Sequence, residues 1–374
     1  MLIKSNKTVA VAMSGGVDSS VSAIILKKRG YSVIGVSMHL VSEDASAGTL
    51  KTCCSTDDII SAKRVCVKLG IPHFVVNLEN EFKTEVIDRF VTEYLDGKTP
   101  NPCIVCNCVM KFDLLIKRAK ELGADFLATG HYARITQDAK GRYFLLKSKD
   151  LSKDQSYVLY GLSQENLKNI MFPVGNMNKM QTRRIAYDAG FTDISGKKDS
   201  VEICFVPDKD YAGFIKRQSA VCLKKGFIKN LKGEIIGEHN GIFNYTVGQR
   251  KRLGVSSINP LYVVKISAEN NEIFVGSMED CMSDSLTVKN FNFINPEYKN
   301  LLEEIKISAK IRYSSPDYKC KAFVLEDGSV KIKFDEKVKF ITPGQSAVLY
   351  SGIKVIGGGI IDTVPEFNSG TVTT

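Results

Sequence analysis

The sequence predicts an α/β protein. An N-terminal parallel sheet with helices on both faces is followed by a small β-containing middle domain and a C-terminal small β-barrel. Three observations predict this. Over the first 200 residues short apolar runs alternate with helical patterns. A Gly- and Ser-rich loop joins the first apolar run to the first helix. After about residue 285 only short, β-branched, alternating segments remain. Strand–helix alternation implies a parallel sheet, which binds ligands at the carboxyl ends of its strands. Several short strands in succession imply a small barrel.

Thr8 to Ala12 reads as a buried strand and Val21 to Arg29 as a helix stopped by Gly30. Ser32 to Met38 is a second strand. Ile59 to Leu69 is a helix ended by Gly70, with Pro72 beyond it. His73 to Leu78 is a third strand, Phe112 to Leu122 a helix, and Phe126 to Gly130 a fourth strand. Strands are then expected at Ile235–Tyr245, Leu261–Ile266, Glu272–Val275, Ser285–Val288, Ile305–Ile311, Lys319–Leu325, Val330–Phe334, Ser346–Tyr350 and Lys354–Ile361. The expected domains are 1–210, 211–282 and 283–365, with 366–374 as a tail.

A chain of 374 residues exceeds one compact core. No apolar run is long enough to span a membrane, and the first residues lack the apolar core of a signal peptide, so a cytoplasmic protein is expected. The net charge of +10 suits a polyanionic partner such as nucleic acid. Ten cysteines in a reducing compartment point to redox, metal or sulfur chemistry rather than a disulfide framework. Cys66, Cys222, Cys281 and Cys320 stand apart from any motif and read as small buried hydrophobes.

Ser14-Gly15-Gly16-Val17-Asp18-Ser19-Ser20 lies between the first strand and the first helix. Glycines let backbone approach an anion, and loop amides with the helix N-terminus supply positive partial charge. Asp18 could cap the helix or orient Mg²⁺. The Gly-Lys-Ser/Thr ending of a Walker A loop is missing. The loop matches instead the SGGxDS loop of ATP pyrophosphatases, which grip the pyrophosphate part of ATP. Met38 and Gly130 end strands on the same edge, where Met38 could flank adenine and Gly130 admit the nucleotide closely.

Pro102-Cys103-Ile104-Val105-Cys106 forms a Pro-braced loop leading into a helix. Cys106 is placed near that helix start, where the dipole favours a thiolate. Cys204 lies far away in sequence. Catalytic thiols sharing a persulfide, a metal or iron–sulfur site at Cys103, Cys106 and Cys204, and a structural role all remain open from these residues alone.

Taken together the segments resemble the tRNA-specific 2-thiouridylase family. The matching stretches include AMSGGVDSS at 12–20, CCSTDD at 53–58, TPNPCIVCN at 99–107, ATGHYAR at 128–134, KDQSY at 153–157, EICFVP at 202–207, YTVGQRKRLG at 245–254 and PGQSAV at 343–348. The resemblance implies ATP-dependent replacement of O2 of the wobble uridine in the tRNA anticodon loop by sulfur, with Mg²⁺ assisting. ATP would be bound by Ala12, Met13, Ser14, Gly15, Gly16, Val17, Asp18, Ser19, Met38 and Gly130. Cys106 would be the nucleophile and Cys204 the persulfide carrier. Asn101, Pro102 and Cys103 would face the target base. His131, Lys153, Asp154, Gln155, Arg312, Tyr313 and Gln345 would touch tRNA. A persulfide-donating sulfur-relay protein or a cysteine desulfurase would supply sulfur. Some members carry Asp where this chain has Cys103, so Cys103 is assigned no proton transfer, and an iron–sulfur cluster on Cys103, Cys106 and Cys204 stands as the second choice. Lys224, Lys225, Lys229, Arg250, Lys251, Arg252 and Arg312 are candidate phosphate contacts, and Tyr245 a candidate stacking surface.

Overall fold

The computed structural model describes residues 6–41, 55–196, 203–206, 210–219 and 224–364. Cys53, Cys54 and Cys222, and the ends of the EICFVP stretch, lie outside the described residues. Two compact units are present. The first comprises 1–87, 102–209 and 353–355, and the second 88–101, 210–352 and 356–374.

The first unit is built on a parallel sheet in the order β3-β2-β1-β4-β7. Its strands are β1 (Thr8–Ala12), β2 (Ser32–His39), β3 (His73–Asn77), β4 (Phe126–Ala128) and β7 (Ile170–Met171). Val9, Ala10 and Val11 of β1 are fully buried, as a central parallel strand covered on both faces requires. Helix α1 (Val17–Lys28) follows the loop, and α2 (Thr56–Leu69) starts at Ser55, whose hydroxyl accepts from the Asp58 amide. Gly70 ends α2 at φ 60°. Residues 102–121 form one helical run, Pro102–Val105, Cys106–Leu115 and Ile116–Glu121, its middle stretch wound with i→i+5 hydrogen bonds. The hairpin of β5 (Ala133–Gln137) and β6 (Tyr143–Lys147) and helix α3 (Lys179–Asp188) complete what positions the loop. Neither was expected from sequence: the hairpin pattern is short, and α3 has only Thr182 and Ala186 buried, so its apolar stripe is weak.

The second unit holds two β structures. Strands β8 (Gly226–Asn230), β9 (Ile235–His239), β10 (Tyr262–Ser267) and β11 (Glu272–Gly276) make a sheet in the order β10-β11-β8-β9. The long strand expected over 235–245 stops at His239 and gives way to a tight turn at Ile242–Asn244 entered through Gly241 at φ 108°. Strands β12 (Met282–Phe293), β13 (Ile307–Lys310), β14 (Tyr318–Val324), β15 (Val330–Lys339), β16 (Ser346–Ser351) and β17 (Lys354–Thr363) follow. They run β12-β15-β14-β13-β16-β17, and pairing of β17 with β12 closes the barrel. Leu286, Val288, Ile332, Leu349 and Ile356 fill it. Residues 88–101, which sequence places in the N-terminal domain, pack here because Phe90 stacks edge-on with Phe214 (6.2 Å) and Tyr94 (4.9 Å).

Candidate active site

The first unit presents the Ser- and Gly-rich loop at the carboxyl end of β1. The Met13 amide bonds the Val36 carbonyl (2.8 Å), and the Ser37 hydroxyl donates to the Met13 carbonyl (2.8 Å). Ser14 and Ser19 hydroxyls meet at 3.3 Å, and the Ser14 amide donates to Ser19 Oγ (3.3 Å). Ser20 Oγ folds back on the Gly16 carbonyl (2.8 Å). Gly15 adopts φ 67°, and a side chain there would run into the carbonyl of Asp58 in the first turn of α2. The loop is therefore pinned from β2, from α2 and from within.

Asp18 does not cap α1. The N-cap is Gly16, without a side-chain bond. The Asp18 carboxylate accepts instead from the Tyr132 hydroxyl (2.8 Å) and from Lys179 Nζ (2.8 and 2.9 Å). The Tyr132 hydroxyl oxygen also lies 2.9 Å from Thr182 Oγ1. Lys179, Tyr132 and Thr182 escaped the sequence reading. Tyr132 lies inside the ATGHYAR stretch, whereas Lys179, 161 residues from Asp18, carries no local signal.

Gly130 serves the loop backbone. An added Cβ would stand 2.7 Å from the Asp18 carbonyl carbon and from the Ser19 amide nitrogen. Met38 is buried at the end of β2, in register with Val76. His131 does not present a charged ring to solvent. It is buried, meets Thr129 Oγ1 at 2.6 Å, and packs between Phe112 (5.8 Å) and Phe172 (5.9 Å). Burial, with Lys111 nearby, pushes its pKa well below 6.5. A neutral buried imidazole is unsuited to holding an RNA phosphate.

This has a consequence for acid stability. The unfolded chain takes up a proton at this ring near pH 6.5, and the folded chain only well below it. The contribution to stability is intact above that pH and is lost as pH falls beneath it. Urea midpoints are expected to drop from about pH 7 to about pH 5, and His131→Asn to flatten part of that drop; an unaltered slope in the variant would count against the buried neutral ring.

The helical run carrying the cysteines begins at Pro102, a residue suited to the first helical position. Cys103 is exposed in the first turn, and Cys106, buried, falls in the second. The dipole's effect falls off within the first turn. The expectation that it acts on Cys106 is thus corrected: it bears on Cys103. Asn107 is buried one residue on, donating to the Val158 carbonyl (3.1 Å) and accepting from Lys111 (2.9 Å). Cys108 Sγ fills the space that a side chain at Gly161 would need. Cys204 is half-buried, and the neighbouring Phe205 packs edge-on against Phe82 (5.7 Å). Among the described residues no three His, Cys, Asp or Glu side chains gather as a metal site, so Cys103, Cys106 and Cys204 do not form a cluster cradle here. Cys66, Cys281 and Cys320 are buried, and burial pushes their thiols up to about 11, about 11 and about 12, which leaves them poor thiolates.

Asp154 and Gln155 brace a loop. Asp154 accepts from the Ser148 amide (2.8 Å) and the Ser156 hydroxyl (2.7 Å), and Gln155 Oε1 from the Tyr132 amide (2.9 Å). Their side chains are spent on folding, which speaks against direct tRNA contact; Lys153, half-buried beside them, keeps a long cationic side chain.

In the second unit Arg312 donates to the carbonyls of Val247 (3.2 Å) and Phe340 (2.8 Å) and to the Thr342 hydroxyl. It is a brace between loops rather than a side chain reaching outward. Tyr313, next to it, is 44% exposed. Gln345 donates to the Thr99 carbonyl (2.7 Å). Lys229 is paired with Glu272 (2.5 Å), whereas Lys224, Lys225, Arg250, Lys251 and Arg252 are exposed. Arg250 and Arg252 line, with residues 253–261, an open polar pocket of about 510 Å³. Tyr245 is core, edge-on to His239 (5.8 Å), and not a stacking surface.

Residues 7–208 match the family model described as tRNA methyl transferase HUP domain. Residues 213–277 match its PRC-barrel domain, and 283–361 the aminomethyltransferase beta-barrel domain. The tRNA-specific 2-thiouridylase of Clostridium acetobutylicum is 45% identical over 357 residues, 95% of this chain and 99% of that protein. The enzyme of the same name from Clostridioides difficile is 46% identical over 96% of this chain and 98% of its own length. That of Caldanaerobacter subterraneus subsp. tengcongensis is 47% identical, with the same two coverages. The model descriptions speak of methyl transfer and these full-length relatives of thiolation; a phosphate loop with motif cysteines suits the latter.

Proposed function

The chain belongs to the tRNA-specific 2-thiouridylase family and is an ATP-dependent tRNA-uridine 2-sulfurtransferase, and from that premise we propose how its residues divide the work. The observation that carries the proposal is the loop from Ala12 to Ser19, pinned by Gly15, Gly130 and the Asp18–Lys179 pair at the carboxyl end of β1 and the start of α1, a place suited to binding an anion. ATP lies there with Met38 and Gly130 bordering it. O2 of the wobble uridine attacks the α-phosphorus, the bond to pyrophosphate breaks, and the base carries AMP as a good leaving group. Loop amides and hydroxyls stabilise the charge that grows on the departing phosphates.

Mg²⁺ would neutralise part of that charge, held on the phosphates with Asp18 at its edge, since Lys179 already engages the Asp18 carboxylate. The three-cysteine cradle for an iron–sulfur cluster does not fit the described geometry, and no step passes through it.

Cys204 carries the persulfide. Its outer sulfur attacks C2 and the C2–O bond to AMP breaks. The Cys106 thiolate then attacks the inner sulfur, releasing 2-thiouridine and leaving a Cys106–Cys204 disulfide that an external dithiol reduces. The sulfur comes from a persulfide-donating relay protein or a cysteine desulfurase. Asn101, Pro102 and Cys103 border the extruded base, and the exposed Lys224, Lys225, Arg250, Lys251 and Arg252 with Tyr313 hold the RNA. None of the helices among the described residues is long and apolar enough to cross a membrane.

The test is thiolation of unmodified tRNA by the purified protein with ATP, Mg²⁺ and a persulfide donor, with nucleosides read by mass spectrometry. Appearance of 2-thiouridine and equimolar pyrophosphate is expected. Pyrophosphate without thiolated base would leave adenylation standing and refute the sulfur route.

A further inference from the structure

Met13 leads into the Ser- and Gly-rich loop, and β2 takes both of its backbone polar groups. Its amide donates to the Val36 carbonyl (2.8 Å), which carries the β1–β2 ladder one residue past Ala12. Its carbonyl accepts from the Ser37 hydroxyl (2.8 Å). Ser37 is buried, and its Oγ also meets Nε2 of His73 at 2.9 Å. His73 opens β3 in register with Gly35, two residues before Ser37, so the two side chains share one face of the sheet. Gly35 leaves the room for this meeting. An added Cβ there would stand 3.3 Å from His73 Cδ2, 3.2 Å from Met13 Cγ and 2.5 Å from Cys66 Sγ.

The hydrogens of this relay can be counted. A serine hydroxyl has one to give and a carbonyl has none. With that one on the Met13 carbonyl, His73 Nε2 must be the donor to Ser37 Oγ. Burial, with Lys63 adding to it, holds the His73 pKa below 6.5. At neutral pH the ring is therefore neutral, and its single N–H is at Nε2. The relay from His73 through Ser37 to Met13 sets a peptide plane. No peptide bond among the described residues is cis, so the Ser14 N–H points away from the Met13 carbonyl. With the carbonyl drawn to Ser37, the Ser14 amide turns into the loop, where it meets Ser19 Oγ at 3.3 Å. We propose that Ser37 and His73 are positioning residues for the ATP loop: the imidazole fixes the hydroxyl, and the hydroxyl fixes the peptide plane that aims the Ser14 amide at the phosphates. The proposal rests on the reading of residues 12–19 as the ATP site for its functional effect, but not for the relay.

The test uses the full chain. Nitrogen-15 NMR of His73 in the wild type is expected to show the Nε2–H tautomer. The opposite tautomer would draw the hydroxyl hydrogen to His73, leave the Met13 carbonyl without it and overturn the proposal. ATP is then titrated into Ser37→Ala, into His73→Phe, which keeps a planar ring without a donor, and into His73→Gln, which returns an amide donor at similar reach. The ATP Kd is expected to weaken about tenfold in Ser37→Ala and about threefold in His73→Phe, the scale of one hydrogen bond and of part of one. His73→Gln should recover most of the affinity. Because the two residues act in series, the double variant of Ser37→Ala with His73→Phe should bind no more weakly than Ser37→Ala alone. Cys66→Ala loosens the packing beside Gly35 without touching the relay, and should leave the ATP Kd within about twofold. Losses that multiply to about thirtyfold in the double variant would show independent effects and overturn the relay. So would a loss in Cys66→Ala equal to that in Ser37→Ala. If the wild type itself binds no ATP, the reading of the loop falls, while the tautomer and hydrogen exchange at the Ser14 amide, expected to quicken in Ser37→Ala, still decide on the relay.

Discussion

Cys106→Ser and Cys204→Ser are each expected to lower tRNA thiolation by about 10³-fold or more, while tRNA-dependent pyrophosphate release continues. The asymmetry follows from the division of chemistry. Adenylation draws on the loop at residues 12–19 and needs no thiol. Sulfur transfer needs one sulfur to carry the persulfide and another to resolve it, and a serine hydroxyl can do neither at neutral pH. Cys66→Ser would be a misleading control, since that thiol is fully buried in the core beside Gly35. Exposed Cys103 is the better comparison. Cys103→Ser should retain most of the thiolation, because this side chain is assigned to the border of the base. Equal loss in Cys103→Ser and Cys106→Ser, with iron recovered only in the wild type, would favour the three-cysteine cluster instead.

The second large effect is expected at Gly15. Gly15→Ala places a Cβ on a residue at φ 67° and drives it against Asp58, whose Cα would be only 2.9 Å away. The left-handed backbone alone costs an alanine about 1–2 kcal/mol, and the clash with a helix N-terminus cannot be relieved by rotating a side chain. A stability loss of about 2–4 kcal/mol is anticipated, in the range seen for strain at a special backbone conformation. ATP should bind at least about tenfold more weakly, since the loop amides turn with the backbone. Gly16→Ala makes the instructive contrast. Gly16 has φ −96°, and its Cβ would meet only Ser14 Oγ at 3.5 Å, so the fold should tolerate it. Calorimetric melting and ATP titration of both variants would check the pair. Equal tolerance at the two positions would refute the pinned loop.

How far the sequence carried can be judged from particular elements. The core strands were legible because Thr8–Ala12 and Ser32–His39 are short, largely apolar and β-branched runs, and such runs have few other ways to be buried. The barrel strands were legible for a similar reason: alternation in Val330–Lys339 gives a strictly in-and-out burial pattern over its first six residues. Helix α3 was not legible because it buries only Thr182 and Ala186, whereas the helical run over 79–95 does carry a stripe, with Phe82, Val86, Ile87, Phe90, Val91 and Tyr94 buried at helical spacing. The start of the cysteine helix was misplaced because Phe112 to Leu122 has the clearest helical pattern, while the turn from Pro102 onward is marked only by its proline.

The sequence by itself determined the class of this protein: a parallel-sheet nucleotide domain with a phosphate loop, a small β-containing middle domain, a small C-terminal barrel and a family identity carried by motifs spread along the chain. Local pattern suffices for these, because periodicity and loop chemistry act over a few residues. Only the tertiary structure decided which side chains are spent on holding the site. It pairs Asp18 with Lys179, buries His131 between two aromatic rings, ties Arg312 to backbone carbonyls and sets Gln345 on Thr99. The physical reason is that a polar side chain has one set of partners at a time. Whether a histidine, an arginine or a glutamine faces RNA or braces its own fold depends on which carbonyl or ring lies within about 3 to 6 Å of it, and residues separated by 161 or 246 positions reach that distance only when the chain is packed.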